Sequence, residues 1–299
     1  MQDSLTDQPP ADLDQFWERT LVRARSIPLD VKIEPVKDPM PFHTFRLTYR
    51  SLDGVPIRAY LSLPWDAIST KKKSKRWPVI VTCPGYSGWG QVTQLSECQL
   101  GYAVLQMYPR GMGESAELWR VPDHCVSAWI NYGRENPEGF YYQGAYMDMV
   151  RAIDYLVTRP DIDPGRIGLS SGSGGGLIVL AVGSLDPRVR AVVAEEPFLC
   201  DFLHNPAQAN SQEINDPVFL RTWSYFEPMN LVHRLRAPTL LIAGGKDTTC
   251  PPVTIRAIFD RLAGIKALHH DPDEAHTASS DFHAMNWAWM NRYLKPGGR

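Results

Sequence analysis

Apolar residues change their spacing three times along the chain, and each change predicts a different element. Leu13, Phe16, Trp17, Leu21 and Ala24 recur at three- and four-residue intervals, so a helix is expected from Asp12 to Ala24. The period then drops to two. In "FHTFRLTYR" (42–50), Phe45, Leu47 and Tyr49 share one side. In "VPIRAYLSL" (55–63), Ile57, Ala59, Leu61 and Leu63 do the same. Asp53-Gly54 lies between the two runs and signals a β-hairpin.

Beyond the basic stretch Lys71 to Arg76, strict alternation disappears. "PVIVTC" (78–83), "YAVLQM" (102–107), "RIGLSS" (166–171), "VRAVVAE" (189–195), "PTLLIAG" (238–244) and "IKALHH" (265–270) are short apolar runs. Such runs suit strands buried on both faces. Helical stripes separate several of them: Tyr146, Met149, Val150, Ile153 and Val157; then Ile255, Ile258, Phe259 and Leu262; then Phe282, Met285, Trp289 and Tyr293. A hairpin followed by β–α alternation predicts an α/β fold with a mostly parallel, doubly wound sheet. The 299 residues are expected to form one domain, with a lid-like insertion at about 201–232. Trp89, Trp119 and Trp223 are candidates to line its pocket, with core packing the alternative for each.

Composition narrows the function by exclusion. A net charge of −2 with 43% apolar residues gives no bulk attraction to nucleic acid or an anionic membrane. No apolar run approaches the ~18–20 residues of a membrane span. The five cysteines, Cys83, Cys98, Cys125, Cys200 and Cys250, are scattered and contain no C-x-x-C, which argues against a disulfide framework or a zinc site. The N-terminal stretch is polar and acidic without an apolar core, so no signal peptide is visible and a cytoplasmic protein is expected.

Ligands of doubly wound sheets bind beyond the carboxyl ends of the strands, and there "RIGLSSGSGGGL" (166–177) places three serines among glycines. The esterase pattern G-x-S-x-G fits Gly168 to Gly172 and nominates Ser170. Strand length points elsewhere. Asp163-Pro164-Gly165 reads as a turn, so the strand begins at about Arg166. A strand from Arg166 to Ser171 has the usual five to six residues, which leaves Gly172-Ser173-Gly174 as the turn. A nucleophile elbow needs small residues two places before and two after its serine, and Ser171 and Gly175 satisfy this. Ser173 is therefore the candidate nucleophile.

A serine hydroxyl needs a base, and the base needs an orienting group. Asp247 follows the run "PTLLIAG" and is the candidate acid. His276 is the histidine on a loop after the last strand and is the candidate base. The amides of Gly174, next to the serine, and Tyr86, after the first parallel strand, are the candidate oxyanion hole.

At these residues the sequence resembles carbohydrate esterase family seven, the acetyl xylan esterases and cephalosporin-C deacetylases. "PGYSG", "YPRGMG", "FYYQGAYMDMVRAIDYL", "RIGLSSGSGGGL", "EPFLCDF", "WSYFEPMNL" and "GGKDTTCPP" follow the family's order and spacing. The resemblance implies an α/β-hydrolase fold with Ser173, Asp247 and His276 as the triad and Tyr86 and Gly174 at the oxyanion. It also implies deacetylation of small acetylated sugars, no cofactor, and a homo-oligomeric, ring-like hexamer. Arg110 and Gly111 match the first two residues of the family's Arg-Gly-Gln motif and are expected to support the site, but Met112 replaces the glutamine. Thr277 stands where the family has a glutamate after the histidine, and Ser171-Gly172-Ser173-Gly174-Gly175 departs from its Gly-x-Ser-Gln-Gly. A small-molecule ester is the expected substrate.

Overall fold

The computed structural model describes residues 8–37, 42–64, 76–86, 98, 100–121, 131–276 and 280–295. Among them nine strands form one sheet. They are β1 (Lys32–Pro35), β2 (Phe42–Arg50), β3 (Pro56–Pro64), β4 (Trp77–Thr82), β5 (Ala103–Met107), β6 (Ile162–Gly172), β7 (Val189–Glu195), β8 (Thr239–Gly244) and β9 (Lys266–Asp271), in the order β1-β2-β3-β5-β4-β6-β7-β8-β9. From β5 to β9 every neighbouring pair is parallel, while β1, β2 and β3 add on antiparallel. The helices are α1 (Leu13–Ser26), α2 (Tyr141–Leu156), α3 (Gly174–Leu185), α4 (Pro217–Trp223), α5 (Pro228–Leu231), α6 (Pro252–Arg261) and α7 (Ser280–Leu294). No described helix is long and apolar enough to cross a membrane.

The unbroken apolar runs are explained by two cores. Val79, Val81, Leu169, Val192, Ala194 and Leu241 pack with α1, α2, α3 and α6 on one face. Their neighbours Ile80, Ala191, Val193, Leu240 and Ile242 pack with Phe282, Met290 and Leu294 of α7 on the other. Both faces are buried, so selection for apolar side chains acts at every position, and each buried Val, Leu, Ile, Phe or Met contributes roughly 1.5–3 kcal/mol. At the hairpin, Asp53 (φ 62°) and Gly54 (φ 73°) both take left-handed backbone, the conformation that Asp-Gly favours.

Two details differ from the sequence reading. β1 was not expected. It is an edge strand with every residue exposed, so it has no buried face to impose alternation. The ladder of β6 begins at Ile162, not Arg166. Ile162 pairs with Trp77 and Ile167 with Val79, so Asp163-Pro164-Gly165 bulges within the strand instead of preceding it. The bulge absorbs the proline's missing donor, and Asp163 Oδ1 accepts the Gly165 N–H at 2.9 Å.

The segment between β7 and β8 is built from short turns and the helices α4 and α5. Its hub is Glu227, which is 4% exposed. The carboxylate accepts the Asp201 and Phe202 amides at 3.1 Å, the Met229 amide at 3.4 Å and the Trp223 indole N–H at 2.5 Å. Burial pushes its pKa up to about 7, and the Trp223, Phe202 and Met229 donors oppose that rise. Trp223 is fully buried, among Phe140, Tyr142, Phe202 and Phe219. Substituting Glu227→Ala strands those four donors and is expected to destabilise the fold by at least about 3 kcal/mol, read as a lower urea midpoint.

Candidate active site

β4 is flanked by β5 on one side and β6 on the other, so the chain winds in opposite directions from this point. At such a switch point a doubly wound sheet offers a crevice beyond the carboxyl ends of its strands. Ser173 sits in that crevice, between β6 and α3, with φ 54° and ψ −124°. A non-glycine residue in this region is strained. The strain is held by the surroundings: the Ser173 N–H donates to Glu195 O at 2.8 Å, and Ser173 O accepts the Phe198 and Leu177 amides at 3.0 and 3.2 Å.

The glycines after Ser173 are required by contact. A Cβ on Gly175 would lie 2.8 Å from Cys83 O and from Ser171 Cβ, and one on Gly176 would lie 2.9 Å from Pro197 Cα. A Cβ on Gly174 would lie 3.1 Å from the Tyr86 nitrogen. The first turn of α3 is thus wedged against the loops after β4 and β7. The Tyr86 nitrogen therefore lies next to Gly174, and the first N–H groups of a helix lack intrahelical partners. The Tyr86 ring packs on Phe198, with centroids 6.0 Å apart.

The other two serines of the motif face away from this crevice. Ser171 Oγ accepts the Cys83 N–H at 3.0 Å and donates to Ser170 O at 2.7 Å, tying β6 to the end of β4. Ser170 is a buried strand residue on the opposite face, where its Oγ accepts from Asn286 of α7 at 2.8 Å.

His276 Nε2 lies 3.1 Å from Ser173 Oγ, and His276 Nδ1 lies 2.8 Å from Asp247 Oδ2. Asp247 is buried, and its other oxygen accepts the Thr249 and Cys250 amides at 2.7 and 2.8 Å. Two backbone donors thereby fix the carboxylate plane, and Oδ2 is left aimed at the imidazole. Glycine again permits the approach. A Cβ on Gly244 would lie 2.5 Å from Ala275 O, and one on Gly245 would lie 2.6 Å from Pro272 Cα. The loops after β8 and β9 are also laced together by Gly245 N–H to Asp271 O (2.7 Å) and Lys246 N–H to Glu274 O (2.8 Å). An imidazole between a hydroxyl and a buried carboxylate can take the hydroxyl's proton and return it to a leaving group.

Arg110 and Gly111, expected to support the site, stand apart from this chain of bonds. Arg110 is buried and paired to Asp148 of α2 (Nη2 to Oδ1, 2.8 Å), with Nη2 also 3.2 Å from Leu52 O. Gly144 leaves the space that its guanidinium fills, since a Cβ there would lie 2.2 Å from Arg110 Cζ. Gly111 follows in left-handed backbone at φ 76°. Arg110 therefore ties the β5 loop to α2 and does not touch Ser173. Met112 is buried, at 4% exposure. Trp119 lines a separate cavity of about 390 Å³ with Arg110, Tyr132 and Gln143. Trp89 and Thr277 lie outside the described residues.

Sequence reasoning overlooked Cys250 and Glu196. Asp247, Cys250 and His276 offer ligand atoms within 4.8 Å of one another, the one trio among the described residues with spacing that suits a metal ion. An ion there would have to break the Asp247–His276 bond, and burial holds the Cys250 thiol well above its usual pKa. Glu196 Oε2 lies 3.3 Å from His276 Nδ1. Its place just past the end of β7 was the signal available, because chemistry gathers at strand ends in such sheets.

A mixed sheet of this order, with a serine on a strained strand-to-helix turn bonded through histidine to aspartate, defines an α/β-hydrolase. The family model "Acetyl xylan esterase (AXE1)" matches residues 4–293, and the chain belongs to that family. It is a carboxylic ester hydrolase. Acetyl esterase Axe7A of Xylanibacter ruminicola is 26% identical, over 96% of this chain and 68% of that one. Acetyl xylan esterase 1 of Thermoanaerobacterium sp. shares the fold with a TM-score of 0.87 at 24% identity, covering 97% of this chain and 96% of that one. The acetyl xylan esterase of Paenibacillus sp. R4 gives 0.84 at 27% identity, covering 97% and 98%.

The contact at Gly175 makes a specific expectation. Gly175→Ala forces the elbow away from the β4 loop, and a displacement of about 1 Å at reacting groups costs about 100-fold in rate. Ester hydrolysis by this variant should fall by about that factor, as measured by initial rates.

Proposed function

We propose that the protein removes acetyl groups from small acetylated substrates, such as acetylated xylo-oligosaccharides and cephalosporin-C-like esters, through an acyl-serine intermediate. The observation that carries this reading is the bonded chain Ser173–His276–Asp247 at the N-terminus of α3, in a member of the acetyl xylan esterase family. The names of the relatives support acetyl as the acyl group.

Ser173 Oγ attacks the acetyl carbonyl while His276 Nε2 takes its proton. Asp247 holds the imidazole in the tautomer with the proton on Nδ1. The Gly174 and Tyr86 amides receive the developing oxyanion, each such donor being worth about 3 kcal/mol. His276 then gives its proton to the departing sugar or cephem alcohol. Water enters, gives a proton to His276 Nε2 and attacks the acetyl-serine carbonyl; as the bond to Ser173 Oγ breaks, His276 returns that proton to the serine oxygen and acetate leaves. The segment at about 201–232 acts as a lid over the acyl site, and no cofactor takes part.

The two neighbouring serines test the assignment. Ser173→Ala is expected to lose acetate release by at least about 10⁴-fold, while Ser170→Ala retains it within about threefold. The reverse pattern would assign the chemistry to Ser170. A panel of p-nitrophenyl esters from acetyl to octanoyl should show highest kcat/KM for acetyl. A preference for long chains would overturn the deacetylase reading and leave the serine chemistry standing.

A further inference from the structure

We propose that Glu196 is a second carboxylate for His276, sharing with Asp247 the work of orienting the imidazole and stabilising its charged form. The proposal rests on the serine mechanism above. Two carboxylates reach the same ring nitrogen: Asp247 Oδ2 at 2.8 Å from the loop after β8, and Glu196 Oε2 at 3.3 Å from the loop after the adjacent β7. Both side chains are buried, so neither charge is screened by water as a surface charge would be.

The backbone around Glu196 is committed to this placement. Its φ is 44°, left-handed for a residue with a side chain and directly before Pro197, an unfavourable conformation held in place by the Glu196 N–H to Ile242 O bond at 2.8 Å. Gly244 supplies the room. A Cβ at that position would lie 2.8 Å from Glu196 Oε1, so any larger residue at the end of β8 would displace the carboxylate. The same strand end therefore accommodates both acids.

The chemical consequence lies in the proton-transfer step. When the Ser173 Oγ–H proton moves to His276 Nε2, the ring gains a positive charge while Nδ1 keeps its own proton. That N–H is donated mainly to Asp247 and in part to Glu196, so the imidazolium faces two negative charges instead of one. As the Nε2 proton passes to the leaving oxygen, the ring returns to neutral with Nδ1–H still in place. Glu196 touches neither substrate nor Ser173 in this account and is a positioning residue. With Asp247 disabled, it remains as an acceptor that keeps the correct tautomer.

The test is a double-mutant cycle in the full chain with p-nitrophenyl acetate, comparing Asp247→Asn, Glu196→Gln and both together. Where a triad has a single acid, its replacement by the amide costs about 10⁴ in rate. Here Asp247→Asn is expected to lose only about 10–100-fold, Glu196→Gln about 10-fold or less, and the pair about 10⁴-fold or more, with KM within about twofold throughout. The steeper effect of Glu196→Gln in the Asp247→Asn background, confined to kcat, is the signature that a merely structural role would not produce. A loss of about 10⁴ from Asp247→Asn alone, or the same Glu196→Gln factor in both backgrounds, would overturn the proposal. The Asp247→Asn result decides even if Glu196→Gln does not fold, which urea midpoints of each variant report. Ser173→Ala is run alongside. If it keeps activity, the serine mechanism itself fails. If it is inactive while the Glu196 factor is unchanged between backgrounds, the Glu196 role alone fails.

Discussion

Everything at the site depends on how closely the first turn of α3 approaches the loops after β4 and β7. Three consecutive glycines, 174 to 176, meet Tyr86 N, Cys83 O and Pro197 Cα at distances that leave no room for a methyl group at two of the three positions. That contact holds Ser173 in a backbone conformation it would not adopt alone. It also sets the Tyr86 amide beside Gly174. The hydroxyl and both candidate oxyanion donors are thus placed by one packing constraint, which rigid strands β4, β6 and β7 enforce from below.

A second constraint acts from the other side of the crevice. Gly244 and Gly245 let the loop carrying Asp247 lie directly on the loop carrying His276. Burying a carboxylate is unfavourable unless its oxygens are satisfied. Asp247 meets that condition with two backbone N–H groups and one imidazole. Arg110 and Asp148 form another buried pair, between the β5 loop and α2, and Glu227 gathers the segment between β7 and β8. The apolar layers give the sheet its stability, and these few satisfied charges fix how its loops are arranged.

Much of this was legible from side-chain spacing. Eight of the nine strands announced themselves as apolar runs or alternating faces, because burial acts on each residue locally; the run at β9 did so although that edge strand is only partly buried. Ser173, Asp247 and His276 were legible from their places past strand ends, and the structure brings these three together within hydrogen-bonding distance. What escaped had no local signature. β1 is exposed throughout, and the bulge at Asp163-Pro164-Gly165 has the composition of a turn. Arg110 sits within a motif that suggests a role beside the triad, yet its partner Asp148 is thirty-eight residues away on α2.

The sequence by itself determined the alternation of strands and helices, the order of serine, acid and histidine, and the need for small residues around Ser173. These follow from period, order and size, which are properties of the chain. Only the tertiary structure decided that Ser170 faces α7 while Ser173 faces the crevice, and that Met112 is buried. Only the tertiary structure brought Glu196 to the same imidazole nitrogen as Asp247. Each of these depends on which strand lies beside which, and on how far loops that are remote in sequence can approach once glycine has removed the side chain between them.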